Sequence, residues 1–242
     1  MKVREARESG ERIADLVKAG QWPAANALLA PVLAKRTPFA MLDRIGSRIG
    51  AAPLVEVNAF LRQIAAGKTE GGWPVIGAAL GKQMDRDLTG AFARCREFIR
   101  AADVWYGADI LGERVPGPAL VVEFEPALAL LAPWREDPNR WVRRTVGVAV
   151  HFWAKRSRGA SEHVARARAL LAFLEPMFEE REMDAVKGIG WGLKTLGQYY
   201  PDLVAGWLPG QIDRPHRTLM LRKVLTYLPE TQRTRATATR NE

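Results

Sequence analysis

The sequence predicts an all-α fold, a superhelical stack of antiparallel helix pairs. Apolar residues recur at helical spacing along most of the chain, and strand-like alternation is nearly absent. The later predicted helices recur about every 40 residues, the interval of HEAT-type helix pairs in an α-solenoid. Such pairs bury their apolar faces only by stacking on their neighbours. A globular helical bundle is the alternative, because no repeat consensus is visible.

The predicted helices follow one another with short connections. Prolines stand near the helix starts, where a missing N–H costs little: Pro38, Pro53, Pro74, Pro118, Pro138 and Pro201. Asp-Pro-Asn at 137–139 and Tyr-Pro-Asp at 200–202 mark sharp turns. The helices are expected over 4–19, 22–34, 38–50, 53–66, 73–84, 87–102, 105–113, 118–131, 139–156, 160–179, 182–199, 201–208 and 214–228. Residues 1–228 are expected to form one domain, and 229–242 a disordered tail that lacks large apolar side chains.

The charge is strongly basic and unevenly distributed. The 242-residue chain has a net charge of +9 and 48% hydrophobic residues, enough for one large domain. From Asn139 onward there are 18 Lys and Arg against 10 Asp and Glu, whereas the first 138 residues carry 18 against 17. This excess favours a polyanionic partner, either nucleic acid or an anionic membrane surface. An ordinary basic protein is the alternative.

Several functional classes find no motif in the sequence. The single cysteine, Cys95, excludes an internal disulfide and is expected to be a small core residue. The charged N-terminus lacks the apolar segment of a signal peptide, and no uncharged apolar run reaches membrane-spanning length. The expectation is a cytoplasmic protein that does not enter a membrane. The three histidines show no metal-binding spacing, and neither a phosphate-binding loop nor a nucleophile elbow occurs.

Trp105 and Asp109 form the first candidate site. Their i, i+4 spacing places both side chains on one helix face. An indole beside a carboxylate attracts a cation, and the carboxylate can also orient or deprotonate a water. The alternative is a core tryptophan beside a solvated or capping aspartate.

The segment 139–155 carries the second candidate. Arg140, Arg144, His151 and Lys155 fall on one helical stripe without an acidic residue, which predicts a phosphate-binding surface. Gly147 lies on the stripe and would let another backbone approach closely. A solvated helix face is the alternative.

The segment 184–200 carries the third candidate. Lys187, Trp191 and Lys194 share one helix face, and three glycines, at 188, 190 and 192, surround the tryptophan. Because glycine is costly in a helix, these glycines predict close packing or close ligand approach. A tryptophan between lysines suits a nucleic-acid contact. The alternative is a core tryptophan packed on small residues.

At these residues the chain resembles the AlkD-like DNA alkylation repair glycosylases. The segments VWYGADIL, NRWVRRTVGVAV and AVKGIGWGLKTLGQYYPDLV are similar to the family's Trp-x-x-x-Asp segment, its arginine-bearing helix and its K-x-I-G-W helix. The resemblance covers roughly 73–225. It implies HEAT-like helix pairs with a basic concave surface, and excision of cationic N3- and N7-alkylpurines from double-stranded DNA. It also implies that the lesion stays in the duplex, whereas most glycosylases flip the base.

The resemblance further implies residue roles. Trp105, Trp191 and Asp109 would be catalytic, flanking and stabilising an oxocarbenium-like sugar. Arg144 would hold a phosphate, supported by Arg143, Lys187 and Lys194, with Arg140 and Lys155 on the same basic face. Trp105, Asp109, Arg144 and Trp191 would line one concavity, and the protein is expected to be a monomer that needs no metal or cofactor. Two other hypotheses stay open: a non-catalytic HEAT-repeat protein that binds damaged or branched DNA, and a protein–protein scaffold.

Overall fold

The computed structural model describes residues 1–238 and is all-α, with no strand among those residues. Contacts divide the chain into two compact units, Met1–Val115 and Pro116–Glu242. The expectation that residues 1–228 form a single domain stays a prediction. None of the helices within 1–238 combines the length and apolarity needed to cross a membrane.

The first unit stacks helix pairs in two layers. The helices are α1 Val3–Lys18, α2 Trp22–Leu33, α3 Phe39–Gly50, α4 Leu54–Ala66, α5 Gly72–Gln83, α6 Leu88–Ala102 and α7 Trp105–Gly112. Helices α1, α3, α5 and α7 form one row, in which each packs on the next, and α2, α4 and α6 lie against this row. The core includes Ile13, Ile45, Phe60 and Trp73, all essentially inaccessible to solvent.

The second unit repeats the arrangement. The helices are α8 Pro116–Val122, α9 Phe124–Leu131, α10 Arg140–Ser157, α11 Val164–Leu174, α12 Met183–Tyr199, α13 Pro201–Trp207, α14 Pro209–Ile212, α15 Thr218–Leu225 and α16 Glu230–Ala238. Short 3-10 turns occupy Ala132–Glu136, Ser161–His163 and Glu175–Glu179. Helices α8, α10, α12 and α15 pack on one another in order, while α9, α11 and α13 lie beside them. The predicted all-α stack of HEAT-like helix pairs is thus confirmed.

Two predicted helices are broken by prolines. The segment 118–131 divides at Glu123 into α8 and α9, because the ring of Pro126 would clash with the Val122 carbonyl in a continuous helix. The segment 160–179 shortens to α11, with Pro176 in the 3-10 turn that follows it. Apolar periodicity continued through both breaks and so concealed them.

Part of the expected disordered tail is helical. Helix α16 packs on α13 with Ala236 fully buried. Gln232 donates to Asp202 Oδ1 at 3.1 Å, and Arg235 donates to the Asp202 carbonyl at 2.8 Å. The prediction was wrong for Glu230–Ala238, because one buried alanine and anchored polar side chains replace the missing large apolar residues. Residues 239–242 lie outside the described residues.

The crossing of α10 and α12 brings two backbones into contact. A Cβ added to Gly147 would overlap the Gly188 carbonyl, and one added to Gly192 would lie 2.6 Å from the Gly147 carbonyl oxygen. Two of the three glycines around Trp191, Gly188 and Gly192, therefore serve close packing against α10. This also confirms the prediction that Gly147 admits another backbone.

The crossing predicts opposite effects for two Gly→Ala substitutions. Gly147→Ala should lower the free energy of unfolding by roughly 3 kcal/mol, because α10 and α12 must separate to accept the methyl group. Gly206→Ala is the matched control, since Gly206 lies in α13 with no atom near its added Cβ. It should raise stability by about 0.5–1 kcal/mol through helix propensity. Urea denaturation measures both, and equal stability of the two variants would contradict the close crossing.

Candidate functional site

Trp105 and Asp109 lie on α7 in the first unit. Asp103 ends α6 with a left-handed backbone, which aspartate tolerates, and the extended Val104 leads directly into α7. This tight turn places Trp105 in the first turn of α7, with 56% of its surface exposed. Tyr106 meets the indole edge-on, with 5.7 Å between ring centroids. Asp109 lies one helical turn further and is half-buried.

The exposure of Trp105 decides between the two readings of this pair. A core tryptophan would be covered, so that alternative is wrong for Trp105. An exposed indole attracts positive charge through its ring quadrupole, and a nearby carboxylate adds a full negative charge. The arrangement suits a cationic or cation-forming ligand at the α7 surface.

Trp191 lies on α12 of the second unit and rests on a histidine. Its half-buried indole stacks on the His151 ring with centroids 3.9 Å apart and planes 26° apart. His151 Nδ1 is 2.7 Å from Thr195 Oγ1, and that hydroxyl donates to the Trp191 carbonyl at 2.9 Å. Trp191 is therefore supported by a ring and by a threonine that links both residues.

The histidine beneath Trp191 is neutral at physiological pH. Burial lowers the pKa of His151 to about 4, and the positive charges of Lys155 and Lys194 act in the same direction. Only 7% of the His151 surface is exposed. The neutral ring places no positive charge against the indole face.

The predicted basic stripe is largely covered by α12. Arg144 and His151 are buried, and Gly147 between them contacts the backbone of α12. Arg144 Nη1 donates to the Asp184 carbonyl at 2.9 Å, while its side-chain stem lies against Gly188. The prediction that this stripe faces outward was therefore wrong at its centre. Arg140 and Lys155, at its two ends, are exposed.

Arg143 is part of the scaffold. Its Nε donates to Glu180 Oε2 at 2.6 Å, Nη2 donates to Glu180 Oε1 at 3.3 Å, and Nη1 donates to the Asp137 carbonyl at 2.6 Å. Burial would raise the pKa of Glu180, but hydrogen bonds from Arg143 and from backbone N–H groups outweigh it and hold the pKa below its ordinary value. The prediction that Arg143 supports a phosphate contact does not fit, because its donors are engaged within the protein.

The two predicted lysines of α12 keep accessible charges. Lys187 is exposed, and its Nζ lies 3.5 Å from Asp184 Oδ1. Asp184 Oδ2 is also 3.5 Å from Arg140 Nε. Lys194 is half-buried and its Nζ stands 4.0 Å above the Tyr227 ring.

Lys223 and Arg222 of α15 join this group and were missed in the sequence. Lys194, Arg144, Arg222 and Lys187 all act electrostatically on Lys223. The sequence signal was the Arg222–Lys223 pair inside a predicted helix, but the packing of α15 on α12 could not be read from it. Within 1–238, no three His, Cys, Asp or Glu side chains gather as metal ligands would.

The candidates belong to different units. Trp105 and Asp109 lie in the first unit, and all the others lie in the second. The expectation that they line one concavity stays a prediction.

The family model of the DNA alkylation repair enzymes matches residues 73–228. The chain belongs to this DNA alkylation repair family. The matched region contains every candidate residue above, together with Arg222 and Lys223.

A solved structure has the same fold as this chain. It is the Pseudomonas fluorescens alkylpurine DNA glycosylase AlkC bound to DNA containing an abasic site analog. The TM-score is 0.63 at 18% sequence identity, and the alignment covers 97% of this chain and 66% of that chain. The chain thus spans just under two thirds of the length of AlkC. A search of curated proteins found no match to the sequence.

The scaffold role of Arg143 predicts a loss of stability. Arg143→Ala should lower the free energy of unfolding by roughly 3 kcal/mol, because it leaves a largely buried Glu180 without its partner. Arg140→Ala should change it by less than about 1 kcal/mol, since that side chain is exposed. Urea denaturation checks both values. If Arg143→Ala kept full stability and lowered the salt dependence of DNA binding, the phosphate role would be right instead.

The neutral His151 predicts a pH dependence of stability. Between pH 6.5 and about 4 the unfolded chain takes up a proton at His151 that the folded protein does not bind. Stability contributed by this residue is therefore complete above pH 6.5 and falls as the pH decreases toward 4, by on the order of 3 kcal/mol. His151→Gln, which cannot titrate, should show a shallower decline in melting temperature across this window. Parallel profiles for wild type and variant would contradict the assignment.

Proposed function

We propose that this protein is a DNA glycosylase that hydrolyses the N-glycosidic bond of cationic N3- and N7-alkylated purines in duplex DNA. The observation that carries the proposal is the exposed Trp105 one turn from Asp109, in a member of the DNA alkylation repair family. AlkC, an alkylpurine DNA glycosylase that shares the fold, supports the same reaction class.

The chemistry of the lesion explains the need for such a pair. An N3- or N7-alkylpurine carries a positive charge, so it leaves with the electron pair of the C1′–N9 bond and becomes neutral. The deoxyribose left behind becomes oxocarbenium-like, and a water adds to C1′ while releasing a proton. Asp109 stabilises the developing cation and orients that water, and Trp105 offers its π face to the sugar. Because positive charge moves from the purine to the sugar as the bond breaks, a carboxylate beside the sugar favours the transition state over the ground state.

The open position of Trp105 favours a reaction without base flipping. A flipped base needs an enclosing pocket that contacts its edges. A half-exposed indole at the start of a helix can instead lie against the backbone of a duplex whose bases stay stacked. We therefore propose that the lesion is approached through its sugar.

The second unit supplies DNA contacts in this proposal. Trp191, on its neutral histidine, is the other proposed catalytic aromatic. Arg140, Lys155, Lys187 and Lys194 offer charges to the phosphates, since all four keep part of their surface accessible. Arg144, of which only 7% is exposed, stays a proposed phosphate ligand. The protein is proposed to act as a monomer.

A base-release assay tests the function. Wild-type protein should release 7-methylguanine or 3-methyladenine from duplex DNA in single-turnover reactions at low salt. Asp109→Asn, which keeps the shape but removes the charge, should slow release by roughly 100- to 1000-fold at saturating enzyme. Asp85→Asn is the matched control, because Asp85 is an exposed carboxylate of the same unit that pairs with Lys82 at 2.9 Å. It should release base at the wild-type rate.

The results separate the proposal from its alternative. Tight DNA binding without base release by the wild type would overturn the enzymatic reading and favour a non-catalytic DNA-binding protein. Equal rates for Asp109→Asn and Asp85→Asn would remove Asp109 from the mechanism.

A further inference from the structure

Lys223 projects from α15 and packs against α12 at a glycine. Its stem lies against Gly190, where an added Cβ would stand 2.5 Å from Lys223 Cδ and 3.1 Å from Lys223 Cβ. Gly190 is the middle glycine of the KGIGWG segment, and unlike its two neighbours it does not face α10. A side chain at position 190 would displace Lys223, so the glycine keeps this lysine half-buried beside α12.

The charges around Lys223 are all positive. Burial lowers the pKa of Lys223, and Lys194, Arg144, Arg222 and Lys187 each lower it further. Among the described residues, no carboxylate lies within ion-pair distance of Lys194, Arg222 or Lys223. Asp184 lies 3.5 Å from both Lys187 Nζ and Arg140 Nε. Lys194, Arg222 and Lys223 are therefore like charges held together without a carboxylate partner, an arrangement that destabilises the fold and is typical of a site for an anion.

An aromatic ring fixes a second cation of the group. Lys194 Nζ lies 4.0 Å from the centroid of the Tyr227 ring, and Tyr227 itself is 47% exposed. A cation–π contact holds the ammonium in place while leaving its N–H donors available. The ring and the two lysines therefore form a partly ordered surface, which lowers the entropic cost of binding.

We propose that Lys194, Arg222 and Lys223 form a binding site for the DNA sugar–phosphate backbone on the α12–α15 face. The proposal rests on the proposed function only in taking DNA as the ligand. Arg222 and Lys223 are additional phosphate ligands, and Gly190 and Tyr227 position the two lysines.

The length over which the positive charges extend along α12 indicates that the ligand is a chain of phosphates. Lys187, which lies outside the three site residues but adds its charge beside them, is seven residues from Lys194 on α12, which corresponds to roughly 10 Å along the helix. A single phosphate ion cannot reach both ends, whereas one DNA strand rises about 3.4 Å per nucleotide and presents about three phosphates over that length. A polyanionic strand thus satisfies the charges that an isolated phosphate would leave unpaired.

Salt-dependent binding to an unmodified duplex tests the site. Fluorescence anisotropy would give Kd between 50 and 200 mM KCl for the wild type, Lys223→Met and Arg222→Gln/Lys223→Met. Methionine keeps an unbranched stem against Gly190 and removes only the charge. The slope of log K against log salt should become shallower by about 1 in the single variant and about 2 in the double variant. Affinity at 100 mM should fall roughly threefold to tenfold for each charge removed.

Two controls separate charge at this site from charge in general. Lys223→Arg should keep the wild-type slope. Arg168→Gln removes an exposed cation from α11 of the same unit and should also leave the slope unchanged. Thermal melting of each variant confirms that it is folded.

The outcomes for this site and for the glycosylase are distinguishable. A wild-type slope in the double variant, or no duplex binding by the wild-type protein, would overturn the site. Charge-dependent binding to phosphatidylserine vesicles with an unchanged DNA slope would also overturn it, and assign the cluster to a membrane surface. A shallower slope in a protein that releases no alkylpurine would establish the site and overturn the glycosylase.

Discussion

The contact between the backbones of α10 and α12 determines the arrangement of the second unit. Gly147, Gly188 and Gly192 allow it, and a methyl group at any of them would push the helices apart. At this distance the side chains beside the glycines meet across the crossing: Arg144 reaches the Asp184 carbonyl, and His151 stacks on Trp191. The same contact covers the middle of the basic stripe of α10. Its cost in helix propensity, about 1 kcal/mol for each glycine, is offset by the packing and hydrogen bonds it creates.

Helical periodicity predicted that the accessible positive charge lies along α10. Because α12 covers the middle of that stripe, much of the accessible charge lies on α12 and α15 instead. Arg143 supports the start of α10, and Arg144 is mostly buried, whereas Lys187 and Lys194 of α12 remain accessible. Helix α15 adds Arg222 and Lys223 to them. The net charge is the same in both descriptions, but the structure places the basic surface at the edge shared by α12 and α15, whereas the sequence predicted one face of α10. A phosphate chain would meet cations from both.

The sequence predicted the helical class and most helices, because apolar periodicity reports a buried face directly. It failed where a break left that periodicity intact, as at Glu123, and where tertiary contacts stabilise a polar helix, as in α16. In the candidate site, the i, i+4 spacing correctly placed Trp105 and Asp109 on one helix. The glycines around Trp191 correctly predicted close packing. The same spacing rule could not show that Arg144 points under a neighbouring helix, since one helix does not specify what covers it. Lys223 was missed for the converse reason, because its neighbours come from α12, about 30 residues earlier in the chain.

The histidine beneath Trp191 has a consequence for the proposed chemistry. A π face attracts a cation through its negative quadrupole, and a positive charge on the opposite face would oppose that attraction. An imidazolium stacked 3.9 Å from the indole would be such a charge. Burial, with Lys155 and Lys194 nearby, prevents protonation of His151 down to a pH of about 4. The lysines proposed to bind phosphate therefore have a second effect: they add to the effect of burial in keeping the ring under Trp191 neutral, so that in the proposed reaction the indole would be able to stabilise positive charge developing on a deoxyribose.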